Sequence, residues 1–93
     1  MTVENLYEKS LHSMANKTVR YNLCETSDGN MNHYGVQICE SGPEINREET
    51  IESISPDRKF VCELIEYLCE NVIDTAHFND IVQDYIWMRE EKW

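Results

Sequence analysis

The chain has 93 residues, of which 41% are hydrophobic, and its 18 acidic against 8 basic side chains give a formal charge of −10. This length predicts one small domain, and the apolar content suffices for a compact core, which argues against wholesale disorder. The charge argues against direct binding to nucleic acid or to an anionic membrane, because both attract cationic side chains.

The acidic side chains are concentrated in the second half of the chain. Residues 44–93 carry 13 acidic against 5 basic side chains, whereas residues 1–43 carry 5 against 3. This asymmetry favours a basic protein as the partner. The alternative is that the acidity only keeps a small protein soluble.

Two patterns that would indicate a membrane-spanning or secreted protein are absent from the sequence. It has neither an apolar run long enough to span a membrane nor the basic start and apolar core of a signal peptide. We therefore expect a cytoplasmic protein. Cys24, Cys39, Cys62 and Cys69 are then expected to be reduced thiols, since structural disulfides are rare in that compartment.

The first segment, residues 1–17, is predicted to be an N-terminal helix or arm. Its apolar residues recur at intervals of three and four, which is the spacing of one helical stripe. These residues are Val3, Leu6, Tyr7, Leu11 and Met14.

Residues 18–93 are predicted to form a single α+β domain that begins with a hairpin. Apolar and polar residues alternate over residues 18–25 and 33–40, which indicates two half-buried strands. Residues 27–32 between them are rich in turn formers. Residues 50–54 are short and rich in β-formers, and they predict a third strand.

Two helices are predicted after the strands. Ser55 is the expected N-cap of the first helix, with Pro56 and Asp57 in favourable positions behind it. Residues 70–74 interrupt the pattern, and Asp74 or Thr75 caps the second helix. The expected fold is a small antiparallel sheet of two to three strands packed by two C-terminal helices, with an N-terminal helix.

Helical spacing also predicts which side chains of these two helices face outward. Three carboxylates of the first helix fall on one face, and three carboxylates and a tryptophan of the second fall on its matching face. We interpret the set as a partner-binding surface, with ordinary solvated helix residues as the alternative. The set consists of Glu63, Glu66, Glu70, Asp80, Asp84, Trp87 and Glu91.

Metal binding and catalysis receive less support from the sequence. The cysteines and histidines lack the close pairs that mark structural zinc sites. The candidates for zinc are Cys24 and His33, which flank the hairpin turn, with Cys39 or His12 to complete the site. Because no cysteine is paired with a base and no phosphate-binding loop is present, we expect no enzyme and no cofactor.

Three short motifs resemble a small uncharacterised bacterial family, a domain of unknown function. They are the strand Tyr34-Gly35-Val36, the helix start at residues 54–58 with the sequence ISPDR, and the helix at residues 77–85 with the sequence HFNDIVQDY. The resemblance covers about residues 18–87 and implies a fold without an activity. In its size, acidity and lack of catalytic residues, the chain is also similar in kind to phage anti-CRISPR proteins.

These observations lead to three hypotheses about function. In the first, the protein is an inhibitor that mimics DNA and occupies the basic surface of a nucleic-acid-binding nuclease such as Cas9. In the second, it is a homodimeric adaptor with Trp87 buried between the subunits. In the third, it is a small domain stabilised by zinc.

Overall fold

The computed structural model describes residues 1–11 and 16–90, and its strands form one four-stranded antiparallel sheet in chain order. Two helices follow the sheet, and neither of these described helices is long and apolar enough to cross a membrane. The α+β class is confirmed, but with four strands instead of two or three. The elements are β1 (Thr2–Leu11), β2 (Lys17–Asp28), β3 (Met31–Ser41), β4 (Asn46–Ser55), α1 (Arg58–Glu70) and α2 (Thr75–Glu90).

Both helices pack on the same face of the sheet. Alternate residues of β2 and β3 point into one apolar cluster with α1 and α2, as the period-two pattern of a strand requires. We call the opposite side of the sheet the open face. The cluster contains Val19, Tyr21, Leu23, Val36, Ile38, Val61, Leu64, Ile65, Leu68, Cys69, Phe78 and Val82.

Residues 2–11 form the edge strand β1, so the helix predicted for this part of the chain is wrong. Met14 of the predicted stripe lies outside the described residues. The register against β2 shifts between Asn5 and Tyr7, which leaves Leu6 as an extra residue in a β-bulge. Leu6 packs against the core, and Tyr7 lies opposite Tyr21 on the same side of the sheet. The bulge places two neighbouring apolar residues on the same side of the sheet. The apolar residues of this strand therefore have the spacing that is typical of a helical stripe.

The predicted hairpin of β2 and β3 is confirmed, and both strands are longer than expected. Gly29 has a φ of +64° in the turn, a conformation that glycine adopts without steric cost. The predicted third strand at residues 50–54 is part of β4, which runs from Asn46 to Ser55.

A second bulge brings the backbone of β4 over Gly35. The register between β3 and β4 shifts between Tyr34 and Val36, opposite residues 52–54 of β4. A Cβ atom on Gly35 would overlap the carbonyl oxygens of Ile51 and Glu52. Only glycine fits this position, because the obstructing atoms are backbone.

The start of α1 differs from the predicted cap by two residues, whereas the start of α2 agrees with the prediction. The N-cap of α1 is Asp57, whose Oδ1 accepts hydrogen bonds from the backbone N–H groups of Lys59 and Phe60 at 3.0 and 3.4 Å. Ser55, the predicted cap, instead accepts a hydrogen bond from the N–H of Asp57 at 3.0 Å. At the start of α2, the predicted cap Asp74 accepts the N–H of His77 at 3.0 Å.

Candidate functional site

The outward side of α2 carries an exposed aromatic residue among acids. One side of this helix packs Phe78 and Val82 into the core, so the helical period turns Asp80, Asp84 and Trp87 away from it. The indole of Trp87 is 60% exposed, and both acids are also exposed. The predicted exposure of these three side chains is therefore confirmed.

The outward side of α1 carries its carboxylates in two different environments. Glu66 and Glu70 are exposed, whereas Glu63 is half-buried and forms an ion pair with Arg89 of α2 at 3.1 Å. A paired carboxylate offers less charge to a partner than a free one. Glu91 lies outside the described residues. We use the name outer helix face for the outward sides of the two helices, which carry Glu63, Glu66, Glu70, Asp80, Asp84 and Trp87.

The exposed Arg89 joins the two helices. Its guanidinium donates to the hydroxyl of Tyr85 at 2.8 Å and to Glu63, and these interactions raise the pKa of Arg89. The guanidinium carbon also lies 5.2 Å from the centroid of the Tyr85 ring and 5.8 Å from that of Phe60. Hydrogen bonds, charge and ring contacts together hold α2 against α1 at this point.

An interhelical groove of about 260 Å³ opens between α1 and α2, and Asp84 of the outer helix face is part of its lining. Its walls are mainly aromatic and aliphatic, and the rings of Tyr67 and Tyr85 lie 5.3 Å apart between centroids. The sequence did not predict the groove, because its walls come from two helices whose relative position no single helical period specifies. The lining residues are Tyr67, Ile81, Asp84, Tyr85, Met88 and Arg89.

A buried carboxylate that the sequence analysis missed positions α2 on the sheet. Glu40 of β3 is only 2% exposed and pairs with Lys17 of β2 at 2.6 Å. Its other oxygen accepts the backbone N–H of Thr75, the first residue of α2. Burial alone would raise the pKa of Glu40, but hydrogen bonds from Lys17 and Thr75 outweigh it and hold this pKa below its ordinary value of 4.5.

The open face of the sheet carries polar side chains that are hydrogen bonded to one another. The side-chain amide of Asn5 donates to Asn22 at 2.8 Å, and Asn22 donates to Gln37 at 3.0 Å. Gln37 in turn donates to the carboxylate of Glu48 at 2.7 Å, so that one ladder of side chains crosses all four strands. These side chains use their donors and acceptors on one another, so fewer of them remain to bind a partner at the open face.

Three of the four zinc candidates are spread along the hairpin. Cys24 lies opposite Gly35, so His33 is two residues from that pair in one direction and Cys39 is four residues away in the other. No group of three metal-binding side chains occurs within residues 1–11 and 16–90. Burial raises the pKa of the Cys24 and Cys39 thiols. His12 lies outside the described residues.

Fold and surface together define a small α+β domain in which a four-stranded antiparallel meander carries two helices on one face. A family model matches residues 1–88, and the chain belongs to that family, described as Family of unknown function (DUF6514). No curated protein and no solved structure matches the chain. The match confirms the resemblance to an uncharacterised family and includes β1, whereas the likeness to anti-CRISPR proteins has no counterpart in these comparisons.

Proposed function

We propose that the protein is a non-enzymatic binding module that docks its outer helix face onto a basic protein surface. The observation that carries this proposal is the exposed Trp87, which lies on the outward side of α2 one turn beyond the exposed acids Asp80 and Asp84. Tryptophan is enriched at binding hot spots, and carboxylates around it would attract a cationic partner and accelerate association.

More specifically, we propose that the partner is a nucleic-acid-handling protein, such as a nuclease. The exposed carboxylates Glu66, Glu70, Asp80 and Asp84 would then occupy the groove in which that partner holds DNA or RNA. Such competition is largely electrostatic, so its strength should fall as salt screens the exposed charges.

The test compares two variants that change the net charge equally. The variant Asp80→Lys/Asp84→Lys reverses two charges of the outer helix face, whereas Asp28→Lys/Glu44→Lys reverses two exposed charges in the β2–β3 hairpin and the β3–β4 loop. Tagged forms of both are incubated with a lysate treated with nuclease, and the captured proteins are identified. We expect the hairpin and loop variant to retain the wild-type partner and the outer-face variant to lose it.

The captured partner is then tested for its own ligand. For the specific form of the proposal, added wild-type protein should displace a labelled oligonucleotide from the partner, less effectively at high salt. Equal capture by the two variants would show that the outer helix face is not the docking surface. Capture without displacement would leave a binding module that does not block nucleic acid.

A homodimer is the second candidate, and the exposure of Met88 beside Trp87 favours it, since two adjacent apolar side chains lie open. Against it, a second copy would bring Asp80 and Asp84 towards a surface of the same charge. Light scattering over a range of concentrations distinguishes the two, because only the dimer predicts a doubled mass that Trp87→Ala reduces to that of the monomer.

A further inference from the structure

We propose that the interhelical groove receives one apolar side chain from a basic segment of the partner protein. This inference rests on the proposed function and specifies its chemistry. It follows from the size of the groove, the character of its walls and the distribution of charge around it.

The size of the groove indicates a single side chain as its occupant. Its volume of about 260 Å³ is below the range of about 300–1,000 Å³ that is usual for small-molecule sites. Tyr67 and Tyr85 supply rigid aromatic walls. Met88, which is 63% exposed at the rim, supplies a flexible thioether that adapts to different shapes.

The charges in the lining favour an apolar occupant over a cation. Asp84 and Arg89 are the ionisable acid and base of the lining, and their charges are opposite. Arg89 already covers the Tyr85 ring and is paired with Glu63. A second cation entering the groove would meet this guanidinium, whereas an apolar side chain would be in contact with Tyr67, Ile81 and Met88.

The charges outside the groove specify the residues that flank this apolar side chain. Asp80 and Glu70 are exposed on the two helices that border the groove, and no ion pair involves either of them within the described ranges. Asp84, which lines the groove, also has no ion-pair partner within the described ranges. Lysine or arginine residues next to the apolar anchor would complement these carboxylates.

The test uses two synthetic amphipathic helical peptides of equal length and charge. One carries leucine on its apolar face between lysines, and the other has serine in place of every leucine. The protein carries Trp93→Phe, so that Trp87 is the remaining one of its two tryptophans, and its fluorescence reports binding. We expect the leucine peptide to bind at least about tenfold more tightly, which corresponds to burying one leucine side chain.

Two methionine variants locate the binding site. Met88→Lys at the groove should abolish the preference for leucine over serine. Met31→Lys makes the same change in a methionine that is 56% exposed at the β2–β3 hairpin, and it should preserve the preference.

Three further outcomes would overturn the inference, and each has a different meaning. Equal affinity for the two peptides would refute an apolar anchor while leaving charge-driven docking intact. A leucine preference that survives Met88→Lys would place the anchor elsewhere on the protein. Binding of neither peptide would count against both the anchor and the docking of basic segments by the outer helix face.

Discussion

Gly35 shows how one residue determines the path of a neighbouring strand. It belongs to the motif Tyr34-Gly35-Val36, for which the sequence alone gives no physical reason. The structure supplies that reason, because the backbone of β4 crosses the space that a side chain would occupy. Neither Ile51 nor Glu52 can relieve the overlap by a change of rotamer, since the atoms concerned are carbonyl oxygens.

Replacing Gly35 by alanine should therefore destabilise the protein by about 3 kcal/mol or more, as expected where overpacking forces a backbone to move. Gly42→Ala is the matched control. The nearest atom to a Cβ at Gly42 is a side-chain methyl of Ile45 at 3.4 Å, and we expect a change within about 0.5 kcal/mol there. Urea unfolding followed by circular dichroism measures both, and similar values for the two variants would contradict the overlap at Gly35.

At the scale of elements, the sequence predicted those whose periodicity is unbroken. The β2–β3 hairpin and both helices follow regular patterns. The bulge at Leu6, in contrast, gives the apolar residues of β1 a helical spacing. Glu40 was detectable in principle, because it continues the buried alternation of Val36 and Ile38. The exposure of Trp87 followed from one helix alone, but the groove beside it depends on how two helices pack, which periodicity does not encode.

The ion pair of Glu40 and Lys17 should link β2, β3 and α2 in a pH-dependent way. The pKa of Glu40 is lower in the folded protein than its ordinary 4.5, so its contribution to stability is present above about pH 5 and is lost as the pH falls through the folded-state pKa. Lys17→Met should cost about 3 kcal/mol at pH 7, because it leaves a buried carboxylate without its cation.

The measurement is urea unfolding of the wild type and variants at pH 7 and at progressively lower pH. The double variant Lys17→Met/Glu40→Leu should be more stable than Lys17→Met alone, since it removes the unpaired charge as well. Glu44→Gln, at an exposed loop position, is the control and should leave stability nearly unchanged. Glu40→Gln should be less stable than the wild type at pH 7 and closer to it at low pH. An equal difference in stability at both pH values would contradict the titration of Glu40 as the cause.

At the scale of the whole molecule, the two surfaces of the protein differ in chemistry. The open face has a hydrogen-bonded ladder that begins at Asn5, whereas the outer helix face presents carboxylates and an indole. Both sheet edges carry a bulge, at Leu6 in β1 and opposite Gly35 in β4. Bulges and charges on edge strands disfavour pairing with other chains, so the helix layer is the more suitable surface for a specific partner.

β1 pairs with β2 as an edge strand of the sheet, although residues 1–17 were predicted to be an N-terminal helix or arm. We expect β1 to be needed for the stability of the domain. A chain that begins at Asn16 lacks β1 but keeps Lys17, so Glu40 retains its partner. It loses Leu6, which packs against the core, and the hydrogen bonds between β1 and β2. We expect a loss of about 3 kcal/mol or more, which is a large fraction of the stability of a small domain. Urea unfolding and the dispersion of amide resonances measure this loss, and an unchanged midpoint and slope would instead identify residues 1–15 as an appendage.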